Sequence, residues 1–202
     1  MQVWTNSTWL LSRDLSMMRR LNRAPILPVS TTPLRQNFGD RNMDNLLERA
    51  VRLAAKVHKG QVDRFNQPYI LHVLRVMTHG RDVDEQLLGA LHDVLERSDL
   101  TLEDLYVKGF PEHVLTALTH ITRSEKETYE TYIDRVAQNG LAIRVKVHDL
   151  TDKMDLRNVG ELSVPDLRRY NKQMVAYERL KKLEAIVRAE ITLKEKPKKN
   201  GA

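Results

Sequence analysis

The chain has 202 residues, enough for one compact domain with a substantial core and additional terminal segments. It contains no cysteine, which excludes disulfide bonds and thiolate metal sites, so any metal would need His, Asp or Glu ligands. The formal net charge is +6, but residues 1–42 carry +4 and residues 194–202 carry +3, which leaves 43–193 near −1. The body therefore lacks the basic composition of a nucleic-acid-binding domain, and no apolar run is long enough to cross a bilayer.

The two ends differ in composition from the body. Residues 1–42 show no helical period and are rich in Ser, Thr, Asn, Pro and Arg, so we expect a disordered or extended N-terminal segment. Many Arg with few acids are also typical of an organellar transit peptide, whereas the periodic sequence that opens at Met43 favours a plain extension. We expect a cytoplasmic protein, with organellar targeting as the alternative. Residues 194–202 are a Lys-rich tail, and basic ends of this kind would bind RNA or an anionic surface if they bind anything.

Between residues 43 and 193 the apolar side chains recur with a helical period, and no alternating strand pattern is present. We therefore expect a compact, all-α, multi-helix bundle. The predicted helices lie, in chain order, at about 46–57, from Pro68 to Met77, from an Asp84 cap through Leu95, after the capping sequence 101–104, at about 114–121, 127–138 and 141–156, and from Pro165 into the tail.

The pair His92-Asp93 is the most informative local feature of the body. A histidine beside an aspartate in an apolar helical stretch places a nitrogen donor next to a carboxylate, a combination that suits a divalent metal. Glu96 follows one helical turn later and is expected over the same face, where a base would activate a water molecule. Taken alone, the dipeptide is weak evidence for a metal site.

Five blocks of sequence, taken in order, carry a more specific signal. They are 55–61 (AKVHKGQ), 67–72 (QPYILH), 90–96 (ALHDVLE), 118–123 (LTHITR) and 145–149 (VKVHD). Over about residues 43–185 the chain resembles the HD phosphohydrolase superfamily, and within it the hydrolase domain of RelA/SpoT-type alarmone enzymes and their small relatives. The resemblance implies an HD-type hydrolase domain at 43–193. It also implies a manganese-dependent removal of the 3′-pyrophosphate from guanosine tetra- or pentaphosphate.

The resemblance also implies a set of metal ligands, namely His72, His92, Asp93 and Asp149. Two neutral imidazoles and two carboxylates would neutralise one divalent cation and leave positions open for water and a phosphate oxygen. Mn²⁺ is the implied ion, although such a donor set also accepts Fe²⁺, Co²⁺ or Zn²⁺. The alternatives are that His72 is a hydrogen-bonded core histidine and that Asp149 is a helix-surface acid paired with Lys146 or Lys153.

Other residues are candidates for catalysis or substrate binding. Glu96 would orient or deprotonate the attacking water, and Arg97 beside it would stabilise developing charge. After the first helix, Lys59 and Arg64 would grip substrate phosphates, or else remain solvated. Tyr129 shares a helix face with the tyrosine three residues later, and either core packing or stacking on a nucleobase would explain that pair. The expected partner is a small-molecule nucleotide, and a homo-oligomer is left open.

The chain departs from the family pattern at several of these positions. Arg97 stands where a second acid is usual, and Lys153 replaces an asparagine four residues after Asp149; Val73 and Asn66 replace a proline and a glycine at positions that tolerate the change. The two basic residues would attract a phosphate-rich substrate. However, Lys153 would also be placed to pair with Asp149 and compete with the metal. The alternative function is therefore a catalytically degenerate HD-domain protein that binds nucleotides without hydrolysing them.

Overall fold

The computed structural model describes the backbone of residues 40–157 and 161–195, and side chains from 46 to 157 and from 161 to 194. The predicted N-terminal segment up to residue 39 and the tail from residue 196 lie outside the described residues, and the predicted domain boundaries stay predictions. The helices are α1 Asp40–Val57, α2 Tyr69–Thr78, α3 Val83–Leu91, α4 Leu102–Val107, α5 Glu112–Ile121, α6 Tyr129–Val136, α7 Gly140–Lys153 and α8 Val164–Glu195. The described part contains one isolated bridge, Val62 to Pro68, and no longer strand. The all-α prediction is confirmed.

Helix α7 forms the centre of the bundle. Every residue from Leu141 to Leu150 is buried, and the helix contacts α2, α3, α5, α6 and α8. A helix that is buried on all sides must find partners for each of its polar side chains, because an unpaired polar group in the interior is costly. Within the described residues, no helix combines the length and the apolar character that a membrane span requires.

The start of α3 differs from the prediction by two residues. Asp82, and not Asp84, is the N-cap: its backbone is extended and its carboxylate accepts a hydrogen bond from the Glu85 amide at 2.8 Å. Both acids satisfy the sequence preference for a cap, but only the residue outside the first turn can present its carboxylate to the free amides. The predicted capping sequence of α4 is confirmed, because Thr101 and Asp104 form a reciprocal capping box.

The end of α3 also differs from the prediction. The α-helix ends at Leu91, and residues 92–96 form a succession of turns, although the apolar period continues through Val94 and Leu95. The Gly89 carbonyl, close to the end of the helix, accepts a hydrogen bond from His92 Nδ1 at 2.7 Å. Thus Glu96 does not follow His92 along a regular helix face, and helical spacing does not determine the position of its side chain.

A buried charge cluster joins α3 to the two last helices. Glu85 is fully buried, and its carboxylate accepts from Arg144 Nε at 2.6 Å and from Arg188 Nη1 at 3.0 Å. His148 Nε2 lies 3.2 Å from the same carboxylate. Since α7 carries Arg144 and α8 carries Arg188, this one carboxylate holds both helices against α3.

The loop between α1 and α2 accommodates one of the family departures. Asn66 has φ 59°, in the left-handed region that glycine adopts most readily and that asparagine tolerates better than most residues. The Asp63 carboxylate accepts from the amides of Phe65 and Gln67 at 2.8 and 2.9 Å, which fixes the turn around Asn66. The asparagine is therefore compatible with the backbone at this position.

Candidate metal centre

Three side chains from distant parts of the sequence meet inside the bundle. His72 of α2, His92 after α3 and Asp149 of α7 each offer a ligand atom, and these atoms lie within 4.8 Å of one another. His72 Nε2 is 3.3 Å from His92 Nε2 and 3.2 Å from Asp149 Oδ1. All three residues are buried. A cation at this point would tie α2, α7 and the end of α3 together.

Asp93, the fourth predicted ligand, faces the same point. Its Oδ2 atom lies 3.1 Å from His92 Nε2 and 3.8 Å from His72 Nε2. The Tyr69 hydroxyl donates a hydrogen bond to the same oxygen. Tyr69 precedes His72 by three residues on α2, so one helix face supplies both groups. The four side chains are close together, while their role as ligands remains a proposal.

The hydrogen bonds of the two histidines determine which ring nitrogen faces this point. His92 Nδ1 donates to the Gly89 carbonyl, and His72 Nδ1 donates to Asp152 Oδ2 at 2.7 Å. Both Nε2 atoms are therefore left with lone pairs directed at each other, as in histidines that ligate metals. Two such nitrogens at 3.3 Å repel unless a proton or a cation lies between them.

Protonation is favoured at one of these rings. Burial alone would lower the pKa of His72, but the nearby carboxylates of Asp149 and Asp152 outweigh this effect, so that the net direction of the pKa is upward. The site thus attracts positive charge even before an ion is considered.

Asp149 supplies the atom that most directly fits a cation. The residue is fully buried, so the interpretation as a helix-surface acid is wrong, although both lysine pairings considered for it are present. Lys146 Nζ donates to Oδ2 at 2.7 Å. Lys153 Nζ lies 2.7 Å from Oδ1, but that oxygen accepts no aligned hydrogen bond. A buried carboxylate oxygen without a hydrogen bond, next to two imidazole nitrogens, is a donor set that a divalent metal would satisfy.

Both site carboxylates are held in the ionised form. Burial raises the pKa of Asp149, but Lys146 and Lys153 reverse this effect and hold it well below its usual range. For Asp93, His92 and Lys153 likewise outweigh burial and lower the pKa. The centre therefore presents two negative charges to a cation.

Glu96, the predicted base, lies at the edge of the site. The residue is exposed, and its Oε1 accepts a hydrogen bond from the backbone amide of Arg123 at 2.5 Å. Although the residue as a whole is exposed, its carboxylate is desolvated, and this effect, followed by the charge of Asp93, raises the pKa of Glu96. A carboxylate with a raised pKa is better suited to proton transfer than an ordinary surface glutamate.

Arg97 lies against the ring of Tyr69. Its guanidinium carbon is 3.6 Å from the ring centroid, a close cation–π contact, and the same tyrosine donates to Asp93. Arg97 is exposed, so its charge lies at the rim of the site. The guanidinium group of Arg97 thus lies at the rim of the site, at the position where the family pattern has a second acid.

The two tyrosines of α6 have different environments. Tyr132 is 2 % exposed and donates to the Ile121 carbonyl at 2.5 Å, so it belongs to the core. Tyr129 is half-buried, and its buried hydroxyl makes no hydrogen bond to the described residues. Charges of Arg123 and Lys172 lie 5.6 and 5.2 Å from its ring centroid. Core packing explains Tyr132, whereas Tyr129 stays a candidate for substrate binding.

In the part of the chain that the structure describes, no contact connects the two basic residues after α1 to the metal centre. Arg64 pairs with Asp166 at 3.4 Å and lies 4.5 Å from the centroid of the Phe65 ring. Lys59 is exposed on the turn that follows α1. Phosphate binding by Arg64 and Lys59 stays a prediction.

Sequence reasoning missed two residues that position the site. Asp152 orients His72 and is itself held by Arg75, and Tyr69 donates to Asp93. A signal was available for each, since Asp152 follows Asp149 by three residues on α7 and Tyr69 precedes His72 by three on α2.

Similar proteins include enzymes of alarmone metabolism. The GTP pyrophosphokinase of Streptomyces coelicolor is 29% identical over 150 residues, which are 69% of this chain and 16% of that protein. The guanosine-3′,5′-bis(diphosphate) 3′-pyrophosphohydrolase of Aquifex aeolicus is 28% identical over 120 residues, 54% of this chain and 17% of that protein. A solved structure of a metazoan ortholog of SpoT that hydrolyses ppGpp matches with a TM-score of 0.57 and 21% identity, over 74% of this chain and 96% of that one. The chain is thus similar to proteins of the RelA/SpoT type.

These similarities confirm the resemblance that was predicted from the five sequence blocks. The chain spans less than a fifth of the length of the curated relatives that it matches. No protein-family model matches it. The likeness to the metazoan structure shows that the helical fold is shared.

Proposed function

We propose that the chain is a metal-dependent phosphohydrolase that removes pyrophosphate from a nucleotide such as guanosine 3′,5′-bis(diphosphate). The observation that carries the proposal is the convergence of four donor side chains on one buried point. In this proposal Mn²⁺ is the ion and its ligands are His72, His92, Asp93 and Asp149. The RelA/SpoT-like relatives named as pyrophosphohydrolases support the choice of substrate.

The donor set favours the ion. It offers nitrogen and carboxylate oxygen and no thiolate, which suits manganese better than a soft metal. When bound, such an ion polarises a phosphate oxygen and lowers the pKa of water.

The remaining roles belong to residues at the rim. Glu96, with its raised pKa, accepts the proton of the attacking water. Arg97 and Lys153 supply positive charge where the transferred phosphoryl group becomes more negative. Tyr129 offers a partly exposed ring for the base, and Lys59 and Arg64 are the more distant candidates for phosphate contact.

One matched pair of variants tests this proposal. We expect Asp93→Ala to lose Mn²⁺ binding in isothermal titration calorimetry and to lose pyrophosphate release from guanosine 3′,5′-bis(diphosphate). The control is Asp134→Ala, because Asp134 is exposed and pairs at the surface with Arg179 at 2.6 Å. Equal Mn²⁺ binding by wild type and Asp93→Ala would show that the metal site is assigned wrongly.

A second function is favoured by the same departures from the family pattern. Arg97 is stacked on Tyr69 and offers no acid, and Lys153 already contacts Asp149. Both facts suit a protein that binds a nucleotide without hydrolysing it. Tight nucleotide binding without turnover by wild type, together with turnover in the double variant Arg97→Asp, Lys153→Asn, would support this function over the first.

A further inference from the structure

The two lysines around Asp149 differ in how they meet its carboxylate. Lys146 donates an aligned hydrogen bond to Oδ2 and its side chain is 8 % exposed. Lys153 approaches Oδ1 to 2.7 Å without that alignment, and its side chain is 32 % exposed. Lys146 is therefore a fixed, buried partner of Asp149. Lys153 extends to Asp149 from the partly exposed rim of the site, so its ammonium group is close to solvent.

The oxygen that Lys153 approaches is the one that the imidazoles also face. Asp149 Oδ1 lies 3.2 Å from His72 Nε2 and 3.7 Å from His92 Nε2. An ion ligated by these three atoms would bind to Oδ1 close to the two imidazole nitrogens. The ammonium of Lys153 lies 2.7 Å from the same oxygen, so a divalent ion bound to Oδ1 would lie beside a positive charge that opposes its binding.

The charge balance explains why an ammonium would be kept there. Asp93 and Asp149 are 6 % and 0 % exposed, and carboxylates that are buried to this degree need positively charged partners in the interior. Lys146 supplies one positive charge, and Lys153 supplies a second next to Oδ1. A neutral residue at 153 would leave Asp149 Oδ1 without this neighbouring ammonium whenever the ion is removed.

We propose that Lys153 is a tethered counter-ion that competes with the divalent metal for Asp149 Oδ1. It stabilises the metal-free protein and weakens the affinity of the site for the ion. The inference rests on the proposed function, since it needs the metal site assigned there. Metal binding is then an exchange in which the ion takes over Oδ1 and the ammonium withdraws toward the exposed rim. The residue would thus set the metal concentration at which the site fills.

Replacing the lysine by a neutral side chain tests the exchange. Wild type, Lys153→Met and Lys153→Arg are first freed of metal with a chelator, which is then removed. Mn²⁺ is then titrated calorimetrically into each protein. We expect Lys153→Met to bind Mn²⁺ at least about tenfold more tightly than wild type, and Lys153→Arg to remain close to wild type because it keeps the charge. The control is Lys182→Met, which removes an exposed lysine of α8 and should leave the affinity unchanged.

Thermal unfolding supplies a readout that does not depend on activity. With chelator present, Lys153→Met should unfold at a lower temperature than wild type, and Mn²⁺ should raise its Tm by more than it raises the wild-type Tm. If the methionine variant is unfolded even with Mn²⁺, Lys153→Gln takes its place in both experiments.

The outcomes separate this inference from the function on which it rests. Equal Mn²⁺ affinities for wild type and the neutral variants, with binding clearly present, would overturn the counter-ion role and leave the metal site intact. Absence of Mn²⁺ binding in wild type and in every variant would overturn the metal site and the counter-ion role together.

Discussion

Asp152 accepts a hydrogen bond from Nδ1 of His72 at 2.7 Å, and this contact directs the other ring nitrogen at the shared point of the site. Arg75 holds Asp152 from its other side, through Nε to Oδ1 and Nη2 to Oδ2. The hydrogen bond from His72 to Asp152 fixes the tautomer of the imidazole and the rotation of its ring, and the two hydrogen bonds from Arg75 hold the Asp152 carboxylate in place. Such outer contacts orient the ligands of histidine-ligated metal sites and strengthen their affinity for the ion.

Removing this carboxylate should weaken the metal site without removing a ligand. We expect Asp152→Ala to lower the Mn²⁺ affinity by about 10- to 100-fold, because His72 would lose its fixed tautomer. Calorimetric titration measures the change. Asp155→Ala is the control, since Asp155 pairs with the exposed Arg157 two residues away. Wild-type affinity in Asp152→Ala would show that the hydrogen bond does not orient a ligand.

The raised pKa of Glu96 has a consequence for the pH dependence of the proposed reaction. A base must be deprotonated to accept a proton, so the rate should fall as the pH drops below the pKa of Glu96, at a value above about 4.3, the ordinary value for glutamate. Glu96→Gln should lower kcat by about 10²- to 10⁴-fold and remove this acidic limb.

Glu103→Gln, on the exposed face of α4, is the control for the pH profile. An unchanged acidic limb in Glu96→Gln would exclude Glu96 as the base and would assign the titration to another group.

The buried cluster around Glu85 predicts how the fold responds to acid. Burial raises the pKa of Glu85, but His148, Arg188 and Arg144 reverse this and lower it far below its usual range. The stabilisation is therefore complete above about pH 4.3, the unfolded value, and is lost as the pH falls toward the folded value.

Glu85→Gln should lower the free energy of unfolding by about 3 kcal/mol at pH 7, because the buried Arg144 and the partly buried Arg188 lose a shared carboxylate partner. Urea unfolding at pH 7 and pH 3 should show a smaller difference between variant and wild type at the lower pH. Glu178→Gln, an exposed change on α8, should have little effect at either pH. A difference that is constant with pH would mean that Glu85 is not ionised in the fold.

The sequence predicted those features that depend on local spacing. The i, i+4 separation of Asp149 and Lys153 was enough to predict their pairing, and the apolar period was enough to predict the helical bundle. The end of α3 at Leu91 was not predictable from the apolar period, because that period reports burial and continues through Val94. The backbone forms turns from residue 92 onward, where His92 Nδ1 donates to the Gly89 carbonyl.

Contacts between distant segments could not be predicted in the same way. Asp152 lies 80 residues from His72, and Arg188 lies 103 residues from Glu85, so no sequence period relates the partners. The five sequence blocks named the four donor side chains, but the groups that orient and neutralise them became visible only in the folded chain.

One divalent ion should bind where His72, His92, Asp93 and Asp149 meet. An anomalous-difference map from crystals of the protein soaked in Mn²⁺ measures this most directly. We expect one strong peak within coordination distance of both Nε2 atoms and of both aspartate carboxylates. A peak elsewhere, or no peak at this point at a Mn²⁺ concentration that saturates binding in solution, would contradict it.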